Sequence, residues 1–364
     1  MAVFEATGCV LSFFVLKCRC HRLKQLINAL SMKTYFFNVE SWEKDYLGNL
    51  ADLDDVTLVH EPLTEDNASD YSDAEIISVF LGSRISPEVF DALPKLKHIA
   101  TRSTGFDHID LDKAKEKGVV VSNVPFYGEN TVAEMAFALI LMVSRKLYPS
   151  YLRSKDMKFN HDELMGFDLK DKTLGIVGMG HIGRYSARYG NGFGMRVLAS
   201  DPNQDPALAK KFNFEYASSL EDMLAQADVI TIHAPYNEHT HHLINMENVK
   251  KIKKGAILVN TARGGLVETE ALIWALDNGI LRGAGLDVLE GEPEMKEEWE
   301  KITDSYDKEQ LKTIIMNHTL IERDDVIVTP HNAFNTREAI DRILETTQSN
   351  IRNFIDGNPE NVVS

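Results

Sequence analysis

The stretch Leu174-Gly175-Ile176-Val177-Gly178-Met179-Gly180-His181-Ile182-Gly183 constrains this chain more than any other. An apolar run, Thr173 to Val177, reads as a buried strand and passes directly into a Gly-x-Gly-x-x-Gly turn; Ile182 to Tyr189 then suits a helix. In that setting Gly178 permits the tight turn, Gly180 lets the backbone approach a pyrophosphate, and Gly183 lets helix and strand pack closely. The helix would turn its free N–H groups and the positive end of its dipole toward the phosphates. Met195 to Asp201 reads as a second apolar strand, ending in an acid 23 positions after Gly178. A carboxylate there accepts hydrogen bonds from the adenosine ribose and repels a 2′-phosphate. No arginine follows it directly, so NAD is expected rather than NADP. A bare Gly-x-Gly-x-x-Gly recurs in ordinary loops that bind nothing. The ordered succession of strand, glycines, helix, strand and acid is what carries weight.

A chain of 364 residues has room for two domains with their own cores. Its apolar share of 44% and charged share of 26% are those of a soluble globular protein. A formal charge of −16 argues against nucleic acid or an anionic membrane as the main partner and serves solubility. The cysteines are Cys9, Cys18 and Cys20, so the large body of the chain has no disulfide framework and nothing demands an oxidising compartment. A cytoplasmic protein is expected. Within residues 1–31, Gly8 to Leu16 is apolar, but it lacks a basic segment before it and is too short to span a bilayer. Cys18-Arg-Cys20-His21 has no second ligand cluster to complete a metal site. Residues 1–31 read as an extension outside the fold, with organelle targeting as the competing reading and Met32 opening the domain proper.

From Met32 short apolar strands alternate with amphipathic helices, the pattern of an α/β fold with parallel sheets. The first set of strands is Thr34–Val39, Val56–Val59, Glu75–Phe80, His98–Thr101 and Val119–Ser122. Thr131 to Ser144 is a long helix, apolar nearly all round, and is expected to be buried between domains. Residues 150–170 are polar and irregular, an arm or a partner contact. The second set is Thr173–Val177, Arg196–Ser200, Val229–His233, Ala256–Asn260, Gly283–Asp287 and Val326–Thr329, six strands that fit a doubly wound Rossmann sheet. Met295–Arg323 is charged and reads as a surface insertion, and Glu338 to Ile355 as a returning helix. The domains expected are therefore 131–330 for the dinucleotide and a discontinuous 32–130 plus 331–364 for the substrate.

Several strands of the second set end in chemistry-bearing side chains, where an open sheet has its crevice. Asn260-Thr261-Ala262-Arg263-Gly-Gly265 follows one, Asp287-Val-Leu-Glu290-Gly-Glu292-Pro293 the next, and Thr329-Pro-His331-Asn-Ala-Phe334 the last. A planar cation clamps a carboxylate and polarises a neighbouring carbonyl, an imidazolium donates a proton, and a carboxylate holds the imidazole in its charged form. Taken singly, each could be a surface ion pair or a satisfied loop residue. Three at successive strand ends point to carbonyl reduction beside a nicotinamide. None of these ligands stand at metal spacing, so no metal is expected. His181, Ile182, His233, Pro235, Thr261 and Ala262 are expected with the glycines and Asp201 along the cofactor.

These motifs resemble those of the D-isomer-specific 2-hydroxyacid dehydrogenases, from about residue 75 to the C-terminus and more loosely from Met32. The resemblance implies an NAD-dependent enzyme with a Rossmann domain and a discontinuous flavodoxin-like substrate domain, the ligand lying in the cleft between them. It makes Arg263 the substrate-clamping cation, His331 the acid/base, Glu292 rather than Glu290 the histidine's carboxylate, and Asp287 the aspartate near the nicotinamide amide. Ser103-Thr104-Gly105-Phe106-Asp107 looks like the loop whose backbone amides hold the substrate carboxylate. Tyr127 and Phe334 match a pocket suited to a small substrate, as in the branch acting on D-lactate. Phe80 stands near the position of an active-site tyrosine and lacks its hydroxyl. The expected reaction interconverts pyruvate and D-lactate, and the family implies a homodimer through Thr131–Ser144 and the following arm. Two alternatives stand beside it: reduction of a bulkier 2-keto acid, hydroxypyruvate or glyoxylate, and a non-catalytic NAD-sensing, corepressor-like module.

Overall fold

Runs of Ile and Val become strands here because both faces of each are covered, which leaves no polar alternation. The computed structural model describes residues 32–39, Glu43, Leu47, 55–80, 82–291 and 308–364. They divide into two units, one within 1–127 and 341–364, the other 128–340.

In the first unit β1 (Thr34–Phe36), β2 (Val56–Leu58), β3 (Ile76–Val79), β4 (His98–Thr101) and β5 (Val120–Ser122) form a parallel sheet ordered β2-β1-β3-β4-β5. That is the flavodoxin-like order. Every residue of β3 is buried, as a central parallel strand requires. Two helices, α1 (Pro87–Ala92) and α2 (Leu111–Lys117), lie among the connections. The second shows how local sequence sets its ends: the Asp110 carboxylate accepts the Lys113 N–H at 2.8 Å, and Gly118 closes the helix at φ 70°. The last residues return to the sheet, where the Val363 N–H donates to the Val121 carbonyl at 2.9 Å.

In the second unit the strands are β6 (Thr173–Val177), β7 (Arg196–Ser200), β8 (Glu215–Tyr216), β9 (Val229–Ile232), β10 (Ala256–Asn260), β11 (Leu281–Leu286) and β12 (Val326–Val328). All pair in parallel, in the order β12-β11-β10-β9-β6-β7-β8. The direction of winding reverses between β6 and β9, the place where an open sheet of this kind takes a ligand. The helices are α3 (Glu129–Ser144), α4 (Leu147–Lys155), α5 (His181–Gly192), α6 (Pro206–Phe212), α7 (Leu220–Gln226), α8 (Thr269–Asp277) and α9 (Lys308–Ile321). Alternate residues of one strand serve opposite layers. Leu258 packs with Met223 of α7 and Leu272 of α8, whereas Ile257 and Val259 pack with Leu139 and Ile140 of α3 and Ala187 of α5. Each such side chain contributes ~1.5–3 kcal/mol by leaving water. The last helix, α10 (Arg337–Ile355), carries the chain from this unit back into the first.

Several expectations change. The sheet has a seventh strand, β8, whose two residues are too few to show a period. Within its own unit α3 packs on the sheet: a Cβ at Gly285 would come within 2.8 Å of Leu139. The arm at 150–170 begins inside a helix, α4, which leaves Leu147, Tyr148, Tyr151 and Leu152 exposed. Of the supposed surface insertion, 308–321 is helical and buries Ile314, Asn317 and Leu320, a three-residue spacing masked in the sequence by the charges around it. The chain re-enters the first unit at Asp341 rather than at 331, because the residues just after 331 are tied by hydrogen bonds to Asp287 of the second. The extension 1–31 lies outside the described residues. Among those described, no helix is long and apolar enough to cross a membrane.

Candidate functional site

Strand register builds the rim of the second unit. Ser200, Val177, Ile232, Asn260, Leu286 and Val328 pair in one row across β7, β6, β9, β10, β11 and β12. One residue further on stand Asp201, Gly178, His233, Thr261, Asp287 and Thr329, so parallel pairing alone lines these up at the carboxyl ends of the strands.

The three glycines of the turn differ in what surrounds them. Gly178 sits at φ 93°, and a Cβ there would meet the His233–Ala234 backbone at 2.8–2.9 Å. A Cβ at Gly183 would come within 2.1 Å of the Gly178 carbonyl, so helix and strand touch there. Gly180 is extended and a Cβ would meet nothing within 4 Å. The protein itself does not demand that glycine; the open space suits a pyrophosphate. α5 begins there with no side-chain cap and no acid in its first turn, whereas α2, α6 and α7 are capped by Asp110, Asp205 and Ser219. His181 is exposed and Ile182 half-buried beside it. An uncapped start leaves backbone donors for a phosphate.

Asp201 accepts the Met179 N–H on one oxygen and the Asn203 N–H on the other, both at 2.7 Å. It thereby ties the glycine turn to the end of β7 while keeping lone pairs for ribose hydroxyls. Just past β9 and β10, two buried polar atoms lack a hydrogen-bond partner among the described residues, the Nδ1 of His233 and the Oγ1 of Thr261. His233 is otherwise anchored, its Nε2 lying 2.8 Å from Ser186 Oγ and 3.1 Å from Thr231 Oγ1, and burial holds it neutral by pushing its pKa down to about 3. Buried polar atoms are rarely left unpaired, so this pair fits a ligand rich in hydroxyl and amide groups. The residues present therefore suit a dinucleotide. Pro235 is exposed and Ala262 half-buried on the same rim.

The loops beyond the rim hold the remaining candidates. Arg263 is half-buried in extended conformation. Asn260, 1% exposed, fixes the turn that carries it, donating from Nδ2 to the Arg263 carbonyl at 2.8 Å and accepting the Ala262 N–H at 3.0 Å. His331 is half-buried at φ 52°, a left-handed conformation costly for a side chain of its kind. What holds it there is Asp287. That fully buried carboxylate accepts from the Asn332 N–H (2.9 Å), the Ala333 N–H (2.7 Å) and the Thr329 hydroxyl, while the Asp287 carbonyl takes the His331 N–H (2.9 Å). Burial pushes the Asp287 carboxyl up, against these bonds and the attraction of His331. Asp287, expected beside a nicotinamide, anchors the loop of the acid/base candidate. Phe334 is half-buried three residues on.

Glu290 pairs with His242, at 2.5 Å from Nε2. Glu292, the other candidate for the His331 carboxylate, lies outside the described residues. No group of three or more His, Cys, Asp or Glu side chains among the described residues is arranged to hold a metal. His242 was not foreseen: it lies 48 positions from Glu290, and no local pattern marks it.

In the first unit the loop after β4 is stapled from both sides. Thr104 Oγ1 donates to the Val124 carbonyl at 2.7 Å, Asn123 Nδ2 donates to the Thr104 carbonyl at 2.8 Å, and Ser103 Oγ donates to the Gly105 carbonyl at 2.5 Å. Tyr127 is half-buried and its carbonyl accepts from Arg342 Nε at 2.6 Å. Phe80 lies under the Arg102 guanidinium, 5.8 Å from the ring centroid.

The profile of the family described as D-isomer specific 2-hydroxyacid dehydrogenase, NAD binding domain, matches residues 137–333. The D-lactate dehydrogenase kk1H of Curvularia clavata is 35% identical over 90% of this chain and 94% of its own. The glyoxylate reductase of Thermococcus onnurineus is 34% identical over 91% and 90%. Among solved structures, the D-lactate dehydrogenase from Aquifex aeolicus, complexed with NAD and lactic acid, superposes with a TM-score of 0.80 at 36% identity, covering 90% of this chain and 96% of the other.

Proposed function

The chain belongs to the D-isomer-specific 2-hydroxyacid dehydrogenases, NAD-dependent oxidoreductases acting on a CH–OH group, and from that premise we propose that it is a D-lactate dehydrogenase, reducing pyruvate with NADH. The observation that carries the reading is the rim itself, where the glycine turn, Asp201, His233, Thr261 and Asp287 stand in one register row and Arg263 and His331 follow on its next loops.

NADH supplies the hydride for C2 of the keto acid. Arg263, a planar cation on a turn fixed by Asn260, binds the substrate carboxylate and draws electron density from the carbonyl. In the first unit, the Ser103–Gly105 loop, braced by Val124 and Asn123, offers its amides as further candidates for holding a carboxylate. His331, held in place by Asp287, gives its proton to the carbonyl oxygen as the alcohol forms, and takes it back in oxidation. Glu292 keeps the imidazole charged. Phe334 limits the side chain to a methyl group.

Relatives named D-lactate dehydrogenase support the methyl-bearing substrate. Relatives named glyoxylate reductase, at similar identity and coverage, favour a second reading in which glyoxylate is preferred. Steady-state reduction of glyoxylate, pyruvate, hydroxypyruvate and a branched 2-keto acid with NADH separates them. The highest kcat/KM is expected for pyruvate, with D-lactate as product; a higher value for glyoxylate selects the second reading, and turnover of none returns the chain to an NAD-sensing role.

The exposed Leu147, Tyr148, Tyr151, Leu152, Met157 and Phe159 form an apolar arm that we assign to a homodimer. Tyr151→Glu should lower the mass measured by light scattering to that of one chain.

A further inference from the structure

Glu290 stands three residues after Asp287, and its contacts point to a different function from proton transfer. One oxygen accepts from His242 Nε2 at 2.5 Å; the other takes the N–H (3.2 Å) and hydroxyl (2.7 Å) of Thr269, the first residue of α8. The Glu290 carbonyl accepts from Nδ2 of buried Asn317 on α9 at 2.7 Å. Burial pushes the Glu290 carboxyl up, but His242 and Thr269 outweigh it and hold it below the ordinary value. His242, at φ 49°, donates its own N–H to the Gly265 carbonyl at 2.8 Å.

These bonds enclose the turn that carries Arg263. A Cβ at Gly264 would come within 2.0–2.3 Å of the Leu289–Glu290 backbone, so the residue after Arg263 is pressed directly against the residue that His242 holds. Gly265 is covered from the other side by the Tyr236 ring, 2.8 Å from where its Cβ would be, and Tyr236 is linked through its hydroxyl to His241, which stacks on His242. Movement of Glu290 therefore has to move the turn.

We propose that Glu290 and His242 are positioning residues for Arg263, so that Glu290 serves the binding of the substrate carboxylate and not the protonation of His331. The proposal rests on the reading of Arg263 as the substrate's cation.

The test is steady-state pyruvate reduction by Glu290→Gln, His242→Leu, His242→Gln and Arg263→Gln, with each brace variant also placed in the Arg263→Gln background. Glu290→Gln should raise the KM for pyruvate about tenfold, the scale of one hydrogen bond to a charged group, with kcat within about threefold. The alkaline limb of reduction and the NADH affinity, read by fluorescence titration, should stay where they are. His242→Leu should act alike, and His242→Gln, which keeps an N–H for Glu290, should recover most of the loss. In the Arg263→Gln background neither brace variant should cost anything more. A shifted alkaline limb, a fall in kcat at unchanged KM, or a full additional loss without Arg263 would overturn the proposal. So would an unchanged KM in the brace variants while Arg263→Gln raises it. An unchanged KM in Arg263→Gln alone would instead remove the reading of Arg263 on which the brace depends. Should Glu290→Gln fail to fold, the His242 pair carries the same comparison.

Discussion

The two units are both parallel α/β sheets, yet the residues that directly follow their strands differ in how far the protein pairs them. In the first, the buried charge at that edge is Arg102, and the protein consumes it. Its guanidinium donates to the Phe37 carbonyl (2.7 Å), the Asn38 carbonyl (3.1 Å) and Ser78 Oγ (3.2 Å), with Glu43 3.8 Å away. In the second, the same edge carries His233 and Thr261, each with a buried polar atom that no described residue satisfies. A sheet edge can close on itself or stay poised for a ligand, and the choice is made by which polar groups the chain itself pairs. The fold class alone does not distinguish the two.

The largest effect expected from breaking this contrast is at His331. His331→Gln should lower turnover by about 10²–10⁴-fold at every pH, the range for a lost general acid, with NADH binding retained. A kcat within tenfold of the wild type would take His331 out of the chemistry.

Next come the two edges themselves. Arg102→Met abandons several carbonyls and leaves Glu43 buried without its cation, which should cost about 3–5 kcal/mol in urea unfolding. Thr261→Val removes a hydroxyl that has no hydrogen-bond partner among the described residues, so stability should hold within about 0.5 kcal/mol while NADH binding weakens. Equal losses of stability in both would erase the distinction.

A buried histidine at the opposite edge of the first sheet gives a pH test. His98, fully buried at the start of β4, is pushed by burial down to about 4. Its folded value lies below the ordinary ~6.5, so the unfolded chain binds the proton first. Stability should therefore be full above ~6.5 and fall as pH drops toward 4, by ~3 kcal/mol from this group. His98→Gln should flatten that part of the curve; an unchanged slope would assign it elsewhere, His233 having the same sign.

Asp201→Ala should narrow the preference for NADH over NADPH by about tenfold or more, since it removes the charge facing a 2′-phosphate and loosens the Met179 amide. Equal use of both cofactors by the wild type would refute the assignment. The smallest effect is at Phe334: Phe334→Ala should favour branched 2-keto acids over pyruvate by ~1–3 kcal/mol in the ratio of specificity constants. An unmoved ratio would place the ring outside the pocket.

The strands that carry the candidate rim were legible in the chain because their signals are local. Thr173–Val177, Arg196–Ser200 and Ala256–Asn260 coincide with the expected strands, since a doubly buried strand shows itself as an unbroken apolar run. β8 and the helix at 308–321 were not legible, one being two residues long and the other carrying its buried face among charged neighbours. The partner of Glu290 was not legible either. Asp287, Glu290 and Glu292 fall within six positions, and nothing in their order says which side chain each will meet.

By itself the sequence determined the class of sheet, the dinucleotide turn with its acid at Asp201, and the residue types needed for carbonyl reduction. These depend on periodicity and on contacts a few residues apart, which a linear chain displays. Only the tertiary structure decided how the polar groups are used: Asp287 on the His331 loop, Glu290 on His242, and the Nδ1 of His233 and the Oγ1 of Thr261, just past neighbouring strands, without partners among the described residues. The reason is that a hydrogen bond is a relation between two positions. When they lie more than forty residues apart, as these do, the register of the strands and the lengths of the loops select the partner.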